Sequence, residues 1–438
     1  MNDLIQYARQ HVDEAEMYWH RTQDTTVRYE NQRLQEIRQN RLSAVAVRVI
    51  AHGRFGQSFG ETPGHTAIVD EAKAASQFGD AAGHRFAEPS AYPTLPETDR
   101  SPVEAKSDDL VALCEDVKHE IRSHRPDLTL VIHARASKEH LVIETTEGAQ
   151  AESETAGLHL AFGAPIQGAG TSVYKSLSAT HAFQAPDDLI EEFLTWYGWT
   201  ERASTPDTGR LPVIFAPEAA FLYVLPLCFG LNGDAVAKET SPVFNRIDEP
   251  ILSDKLTIFD APHLPGSPFS RVFDDEAVPC RHRPLVEEGI LRGFLLDLQS
   301  ASRLRRPPTG NGFKRKLFGS GPEVTASPWP CHMQVQAGTE PVEQMIARQS
   351  EALLVTGGLG FHSGNYGQGQ FAVQAIGFHI RDGHVVGRLE GTMISGNIYA
   401  DLLDIEALSR ETRDASMGMG PAVEAPYVLV ESLAVAGR

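Results

Sequence analysis

Two-residue turns between short apolar segments are the feature that most constrains how this chain folds. Asp382-Gly383 separates GFHIR from HVVGRL, and Glu288-Gly289 separates PLVE from ILRGFLLD. His52-Gly53 follows the valine-rich segment 43–51 in the same way, and histidine is one of the residues that tolerate a positive φ. Such pairs favour the tight turns that join adjacent antiparallel strands. The sequence therefore predicts several β-hairpins and antiparallel pairing.

Helices are predicted where apolar residues recur at helical spacing. Leu4, Ala8 and Val12 indicate a first helix near the N-terminus. The second half of the chain has few such patterns and is predicted to consist mostly of strands. The further predicted helices lie at 66–78, from Ser107, from Asp187, and at about 217–230, 298–305 and 341–353.

These elements predict an α+β fold, with an N-terminal α/β domain of mostly antiparallel strands followed by a β-rich C-terminal domain. A chain of 438 residues is too long for one ordinary core. Residues 86–105 carry four prolines and read as an extended connector. The predicted domains are therefore 1–105, which includes the connector, a central α+β segment at 106–205, and the β-rich domain at 206–438.

The composition excludes several classes of partner. The net charge of -19 repels phosphate backbones, so we expect no direct contact with nucleic acid. The N-terminus lacks the basic and apolar regions of a signal peptide, and no segment is apolar enough to span a membrane. The four cysteines are far apart and form no CxxC pair, which is typical of reduced thiols. We expect a cytoplasmic protein that binds no membrane.

Residue patterns alone define no metal site, and no cysteine lies in a recognisable protease context. The chain has no His-Glu-x-x-His sequence, and the glycine-rich segment 357–370 is predicted to be a loop between strands. Asp274, Asp275 and Glu276 form a carboxylate cluster in the segment 273–279. Two of them could coordinate a hard cation, or one could act as a general acid or base with a shifted pKa. The favoured interpretation is a turn in which aspartate side chains bond backbone amides.

The segment 303–316 carries six basic residues in an otherwise acidic protein. It could dock an acidic partner or a phosphate, but solvated charge on an exposed loop is the favoured interpretation.

Several segments together resemble the TldD/PmbA family. The resemblance runs through 27–61, 256–304, 374–402 and 428–438, and includes FDDE-x-V, E-x-GIL-x-G-x-LLD and TGN. It implies a structural or chamber-lining role for the signature residues. These are Asp234, Phe273, Asp274, Asp275, Glu276, Thr309, Gly310 and Asn311.

The active branch of that family is a zinc peptidase with the helical motif His-Glu-x-x-x-His-Gly-Leu-x-Gly-Asp. Gly230, Leu231, Gly233 and Asp234 match the end of this motif. The expected His, Glu and His positions hold Val224, Leu225 and Phe229. These side chains offer neither a lone pair to zinc nor a base for a bound water.

The active branch takes a further ligand from a cysteine near the C-terminus, where this chain has only Met417 and Met419 as soft donors. The pattern therefore resembles the PmbA/TldE branch, which pairs with an active TldD subunit. Two departures from the family are Pro226 inside the motif helix and Ala277 at a usual glycine position.

The resemblance implies a non-catalytic subunit of a TldD/TldE-like metallopeptidase complex that acts on unfolded peptides or small proteins. The chain itself would bind no cofactor, and zinc would sit in a TldD-like paralogue. The other partners expected are a peptide substrate and, in isolation, a second copy. Two alternatives stay open: a metal-dependent peptidase with a divergent site near 273–276, and a stand-alone peptide- or ligand-binding protein.

Overall fold

A six-stranded sheet forms the first half of the protein. The computed structural model describes residues 2–61, 64–95, 105–317, 319–360, 364–415 and 421–437. The strands are Glu14–Glu30 (β1), Arg33–Ala51 (β2), Arg54–Gly60 (β3), Val131–Thr145 (β4), Gln150–Pro165 (β5) and Ser172–Ala179 (β6). Their order is β3-β2-β1-β4-β5-β6, and every neighbouring pair is antiparallel. The predicted antiparallel N-terminal domain is confirmed.

A larger sheet of twelve strands dominates the second half, which confirms the β-rich C-terminal domain. The strands of the second half are Ala203–Ser204 (β7), Gly209–Phe215 (β8), Ile258–Asp260 (β9), Arg283–Glu287 (β10), Ile290–Leu291 (β11), Gly312–Phe313 (β12), Ser327–Pro328 (β13), His332–Val335 (β14), Glu351–Leu359 (β15), Gln370–Arg381 (β16), His384–Leu389 (β17), Met393–Asn397 (β18), Ile405–Asp414 (β19) and Ala422–Ala436 (β20). The central order of the large sheet is β11-β10-β9-β14-β20-β8-β15-β16-β17-β7, with β18 beside β16 and β20, and β19 beside β20. A separate two-stranded sheet joins β12 and β13.

The three predicted two-residue hairpin turns are confirmed by their backbone angles. His52 and Gly53 have φ values of 51° and 72°, and Asp382 and Gly383 have 50° and 76°. Glu288-Gly289 follows the same pattern, with 48° and 76°. Two consecutive positive φ values match the right-handed twist of the flanking strands, so each turn sets the register of its hairpin.

Four helices cover the six-stranded sheet. Asn2–His11 (α1) and Ala67–Ser76 (α2) enclose one core, in which Leu4 and Val69 meet Val47. Ser107–His124 (α3) and Asp187–Trp199 (α4) belong to another core that also contains Leu354 and Leu429 of the large sheet. Because this core draws on both sheets, α3 and α4 join the two halves of the protein. The predicted domain boundaries after residues 105 and 205 stay predictions.

The remaining helices are short, and one prediction for them was wrong. They are Phe221–Leu231 (α5), Gly233–Ala237 (α6), Leu298–Leu304 (α7), Val342–Ala347 (α8) and Ile398–Asp401 (α9). The helix predicted over 341–353 ends at Ala347, and β15 begins at Glu351. Leu353 and Leu354 pair with both β8 and β16 and are buried, so strand pairing overrides the local helical pattern.

Two further observations complete the description. Residues 86–95 of the proline-rich connector form neither helix nor strand, and 96–104 lie outside the described residues. Among the helices that the structure describes, none combines the length and the apolarity needed to cross a membrane.

One edge of the six-stranded sheet is open. The strand β3 pairs only with residues Val45–Ala51 of β2, so residues 33–44 pair with β1 on one side and with no described strand on the other. All ten residues from Arg33 to Leu42 are exposed. An unpaired edge of this length offers backbone donors and acceptors to another chain.

A buried ion pair network connects the six-stranded sheet to the C-terminal half. The Arg48 guanidinium donates to both Glu16 carboxylate oxygens, at 2.8 and 2.7 Å, and to Glu276 Oε1 at 2.9 Å. The side chains of Glu16, Glu276 and Arg48 are 0%, 1% and 8% exposed. Glu276 Oε2 accepts the backbone N–H of Leu298, at 2.8 Å, at the start of α7. A single guanidinium thus ties β1 and β2 to the signature turn at 273–276.

We predict that Arg48→Met destabilises the protein by about 3–5 kcal/mol, because it leaves two buried carboxylates without a counter-charge. Arg38→Met, on the exposed part of the same strand, should change the free energy of unfolding by less than about 0.5 kcal/mol. Denaturant unfolding of the three proteins checks both values. If Arg48→Met lowered the free energy of unfolding by no more than Arg38→Met, the predicted contribution of this network to stability would be contradicted.

Candidate functional site

The carboxylates of the signature turn are used to hold the backbone. Asp274 Oδ1 accepts the N–H groups of Glu276 and Val278, both at 2.9 Å, and its Oδ2 accepts that of Gly312 at 2.7 Å. Asp275 Oδ2 accepts the N–H of Lys314 at 2.7 Å. The favoured interpretation of this segment, a turn closed by side-chain to backbone hydrogen bonds, is confirmed. Phe273 is buried and packs against the Tyr92 ring at 5.1 Å.

The backbone of this turn adopts, at position 277, a conformation that favours glycine. Ala277 has a φ of 60° and is fully buried. A residue with a Cβ atom in this conformation costs roughly 1 kcal/mol relative to glycine. Tyr92 donates a hydrogen bond to the Ala277 carbonyl at 3.1 Å, and Asp274 holds the residues on either side. These contacts keep the turn in place without the usual glycine.

The Thr309-Gly310-Asn311 segment lies beside the signature turn. The Asn311 amide donates to Asp260 Oδ2 at 2.7 Å, and its Oδ1 accepts from Arg283 at 2.9 Å and from Thr309 at 2.7 Å. Gly310 has a φ of 73°, and a Cβ atom there would lie 2.5 Å from the Pro279 carbonyl oxygen. The segment is therefore a structural junction, and none of its residues lines the cavity described below.

The helix α5 carries the positions that correspond to the expected zinc motif. Val224 and Leu225 are 0% and 3% exposed, and Phe229 is partly buried with its ring 6.4 Å from that of Trp329. The helix continues through Pro226 to Leu231. At its end, a Cβ atom on Gly230 would collide with the Tyr399 hydroxyl, so this glycine serves close packing. Asp234 is partly exposed and contacts Arg303 at 3.4 Å.

A cavity of about 380 Å³ lies between the two sheets, next to α5. Its lining is mostly apolar and includes Trp196 of α4 and Phe221 and Leu225 of α5. Gly357 and Gly358 of β15 form part of the opposite wall. The strand β16 pairs with β15 on one side, and on the other side β8 pairs only with Leu353–Val355. The β8-facing edge of β15 therefore has no partner strand beyond Val355 among the described residues. The cavity therefore contains both apolar surface and an open strand edge.

A buried ammonium group lies behind the wall of this cavity, in contact with the lining residues Trp196 and Glu218. Lys175 is 1% exposed, and its Nζ contacts Glu218 Oε1 at 2.7 Å and Glu192 Oε2 at 2.9 Å. The same Nζ lies 3.2 Å from the centroid of the Trp196 ring. Tyr427 donates its hydroxyl to Glu192 Oε1 at 2.5 Å. This group of residues, which we call the Lys175 cluster, comprises Lys175, Glu192, Glu218, Trp196 and Tyr427.

Comparison with known proteins supplies the family. The model of the PmbA/TldA metallopeptidase C-terminal domain matches residues 208–437, more than half of the chain, and that of PmbA/TldA metallopeptidase domain 1 matches 15–77. The chain belongs to the PmbA/TldD family. A metalloprotease from Methanothermobacter thermautotrophicus is 23% identical over 96% of this chain and 92% of its own length.

Other members of the PmbA/TldD family are similarly distant in sequence. The metalloprotease PmbA of Escherichia coli O157:H7 is 26% identical over 53% of this chain and 47% of its own length. The crystal structure of TldE from Thermococcus kodakarensis superposes with a TM-score of 0.89, covers 100% of both chains and is 23% identical. At that identity the superposition shows that the fold is shared.

Within this PmbA/TldD chain, the chemistry of a zinc site is missing from the motif helix. Val224, Leu225 and Phe229 carry no donor atoms, and the neighbouring Cys228 is the one candidate ligand on the same stretch. Burial raises the pKa of the Cys228 thiol, which disfavours the thiolate that zinc requires. Among the residues that the structure describes, no group of three or more His, Cys, Asp or Glu side chains could hold a metal ion. Met417 and Met419 lie outside those residues.

One expectation about the basic segment 303–316 was wrong. Arg303, Arg305 and Lys316 are exposed as expected, but Lys314 is only 2% exposed. Its Nζ lies 5.1 Å from the centroid of the Tyr18 ring, and burial lowers the pKa of Lys314 to about 8. The cause is tertiary, because Lys314 follows β12 and is anchored by its own N–H to Asp275.

The Lys175 cluster was missed by sequence reasoning. Lys175 belongs to a strand, Glu192 to a helix, and Glu218 to a 3-10 turn at Pro217–Ala219. Each is an ordinary charged residue in its own segment, and no motif or spacing connects them. Only the packing of the two sheets brings them together.

The pKa of Asp297 depends on its burial and on the nearby carboxylate of Glu276 in the signature turn. Asp297 caps α7 by accepting hydrogen bonds from Ser300 N at 2.7 Å and Ser300 Oγ at 2.5 Å. Burial, reinforced by the negative charge of Glu276, raises the pKa of Asp297 to about 7. Since an unfolded aspartate titrates near 4, folding favours the protonated form between about pH 4 and pH 7. The stabilisation is present below pH 4 and is lost as the pH rises through 7.

We therefore expect Asp297→Asn to be more stable than the wild type at pH 8, on the order of 1–3 kcal/mol, because asparagine keeps the cap and carries no charge. At pH 4 the two proteins should be nearly equal. Denaturant unfolding from pH 4 to pH 8 measures this, with the exposed Asp254→Asn as control. A stability difference that does not change with pH would contradict the raised pKa.

Proposed function

We propose that this chain is a non-catalytic, peptide-binding subunit of a TldD/TldE-like metallopeptidase. The observation that carries the proposal is the presence of hydrocarbon side chains at Val224, Leu225 and Phe229, where an active member needs two ligands and a base. A zinc-bound water attacks a peptide only if three protein ligands hold the ion and a carboxylate accepts the proton. Apolar side chains in a packed helix perform neither task.

The cavity supports a role in binding an extended peptide. The open edge of β15 beyond Val355 offers backbone groups to an added strand, and Gly357 and Gly358 leave the approach free of bulky side chains. Phe221, Leu225 and Trp196 provide apolar surface for the side chains of that peptide. Strand addition combined with apolar pockets is a common mode of peptide recognition.

The first prediction from this proposal concerns metal and hydrolysis. The purified chain, incubated with zinc and then desalted, should retain zinc well below one ion per chain, measured by plasma mass spectrometry. It should not cleave an unfolded peptide, with or without a chelator, whereas a family member that carries the full motif His-Glu-x-x-x-His-Gly-Leu-x-Gly-Asp should do so in a parallel assay. The same peptide, fluorescently labelled, should bind to this chain and raise its fluorescence anisotropy.

Stoichiometric zinc together with chelator-sensitive cleavage would reject the proposal and favour the alternative of a divergent metal site near 273–276. That alternative has little support from the geometry, since the carboxylates of Asp274 and Asp275 are occupied by backbone amides.

A zinc-bearing paralogue is the partner that we propose for this chain, and the open edge of β2 is the surface that we assign to it. Three of the exposed large apolar side chains, Leu34, Ile37 and Leu42, lie within this edge at 44%, 47% and 53% exposure. Three arginines and one glutamate between 33 and 42 give the edge a net charge of +2, in a chain whose net charge is -19. A paralogue with the same fold has an equivalent strand, which supports edge-to-edge pairing.

Light scattering of this chain mixed with a zinc-bearing paralogue from the same genome should reveal a 1:1 complex. Ile37→Lys should weaken that complex by about tenfold or more, because it replaces an apolar contact near the centre of this edge with a further positive charge. Phe78→Lys is the matched control, since Phe78 is 90% exposed but lies outside this edge. Failure of the wild-type chain to form the complex would favour a stand-alone binding protein. Equal effects of the two variants would reject only the assigned surface.

A further inference from the structure

We propose that the cavity between the two sheets selects a primary ammonium group carried on an apolar residue. This inference rests on the proposed peptide-binding function and names the chemical class that the cavity takes. Two sources supply such a group in a peptide: the free N-terminus and a lysine side chain. The features that carry the inference are the charge of the Lys175 cluster and the apolar character of the surrounding walls.

The Lys175 cluster has one negative charge in excess. It contains a single ammonium, that of Lys175, and two carboxylates, Glu192 and Glu218, both within 3 Å of it. Lys175 is 1% exposed, and the glutamate side chains are 20% and 15% exposed, so water screens this charge poorly. The attraction of Lys175 lowers the pKa of Glu192 against the effect of its burial, which keeps that carboxylate ionised at neutral pH. A poorly screened negative charge favours a cation in the adjoining space.

Glu218 is the member of this cluster whose carboxylate is best placed to meet a ligand. The Glu218 side chain lines the cavity, and its Oε1 is bound by the Lys175 ammonium at 2.7 Å. Its Oε2 accepts no hydrogen bond from any residue that the structure describes. A buried carboxylate oxygen without a donor is costly, and a donor supplied by the ligand removes that cost. The terminal torsion of a glutamate is soft, so the carboxylate can turn toward a bound group.

The other charged residue of the described lining does not offset this preference. Arg388 lies in the cavity wall, and its guanidinium contacts the Glu390 carboxylate at 3.2 Å. The charges of that pair sum to zero. All remaining described residues of the lining are uncharged, and most are apolar. A neutral polar ligand would give up its hydrogen bonds to water and gain a single acceptor, the Glu218 carboxylate. A ligand carboxylate would be repelled by the negative charge of Glu218.

The apolar walls define the rest of the ligand. Trp196, Phe221, Leu225 and Phe378 present aromatic and aliphatic surface to the cavity. A chain bound along the open edge of β15 passes Gly357 and Gly358, which line the same cavity as Glu218. The group that fits is therefore an ammonium next to aliphatic or aromatic carbon, at the end of a peptide or on a lysine.

Isothermal titration of the full-length chain with matched peptides tests this. The probes are trileucine amide, its N-acetylated form, and the N-acetylated form with the central leucine replaced by lysine. We expect the free amine to bind about tenfold or more tightly than the acetylated peptide. Recovery of affinity in the lysine peptide would identify the side chain as a second source. No recovery would identify the N-terminus, and both results support the ammonium.

The variant Glu218→Gln should reduce the advantage of the free amine to about twofold or less. Glu191→Gln is the matched control, because Glu191 is the exposed neighbour of Glu192 on α4 and should leave the advantage unchanged. A second measurement needs no variant: the wild-type chain should bind hexylamine more tightly than hexanol, and hexanol more tightly than hexanoate.

The possible failures are distinguishable. Equal binding of the acetylated and free peptides, or tighter binding of hexanoate than of hexylamine, would overturn the ammonium preference and leave peptide binding intact. Absence of binding by all three peptides would overturn the peptide-binding function itself.

Discussion

Arg48 is the group around which the two halves of this protein are joined. Its guanidinium lies on β2, faces Glu16 on β1, and reaches Glu276 in the signature turn, with all three side chains almost completely buried. Charges removed from water in this way are tolerated only when they are paired and fully hydrogen-bonded. Glu276 completes the set by accepting the first free N–H of α7. The position of the six-stranded sheet therefore depends on the conformation of a turn more than two hundred residues away.

That turn shows how the family signature serves structure. The carboxylates of Asp274 and Asp275 accept hydrogen bonds from backbone amides. The Asn311 side chain forms hydrogen bonds with Asp260, Arg283 and the Trp329 carbonyl. These polar groups are buried, so each needs a partner, and together they specify one backbone arrangement. The cavity lies elsewhere, between β15, α4 and α5, and is lined mainly by carbon. The polar residues of the signature turn and the candidate binding surface are thus separate parts of the molecule.

The two features of the cavity that bear on function have different origins. The side chains of Val224, Leu225 and Phe229 on α5 supply no ligand or base at these positions and pack the helix instead. The Lys175 cluster adds a charge that no packing argument requires. An apolar cavity beside a charged cluster fits the proposed role of a subunit that holds a substrate for another chain.

Local rules in the sequence were enough for the hairpins, and the residue types on α5 are read from the sequence directly. The turns at His52-Gly53 and Asp382-Gly383 depend on two residues each, and the absence of donor atoms at Val224, Leu225 and Phe229 is a property of those side chains alone. The end of α8, the burial of Lys314 and the Lys175 cluster were decided by tertiary structure. In each case the stabilising partner is distant in sequence: β8 and β16 for Leu353 and Leu354, Tyr18 for Lys314, and Glu192 and Glu218 for Lys175. Burial and charge pairing depend on which distant segments come into contact, and the local spacing of residues does not encode those contacts.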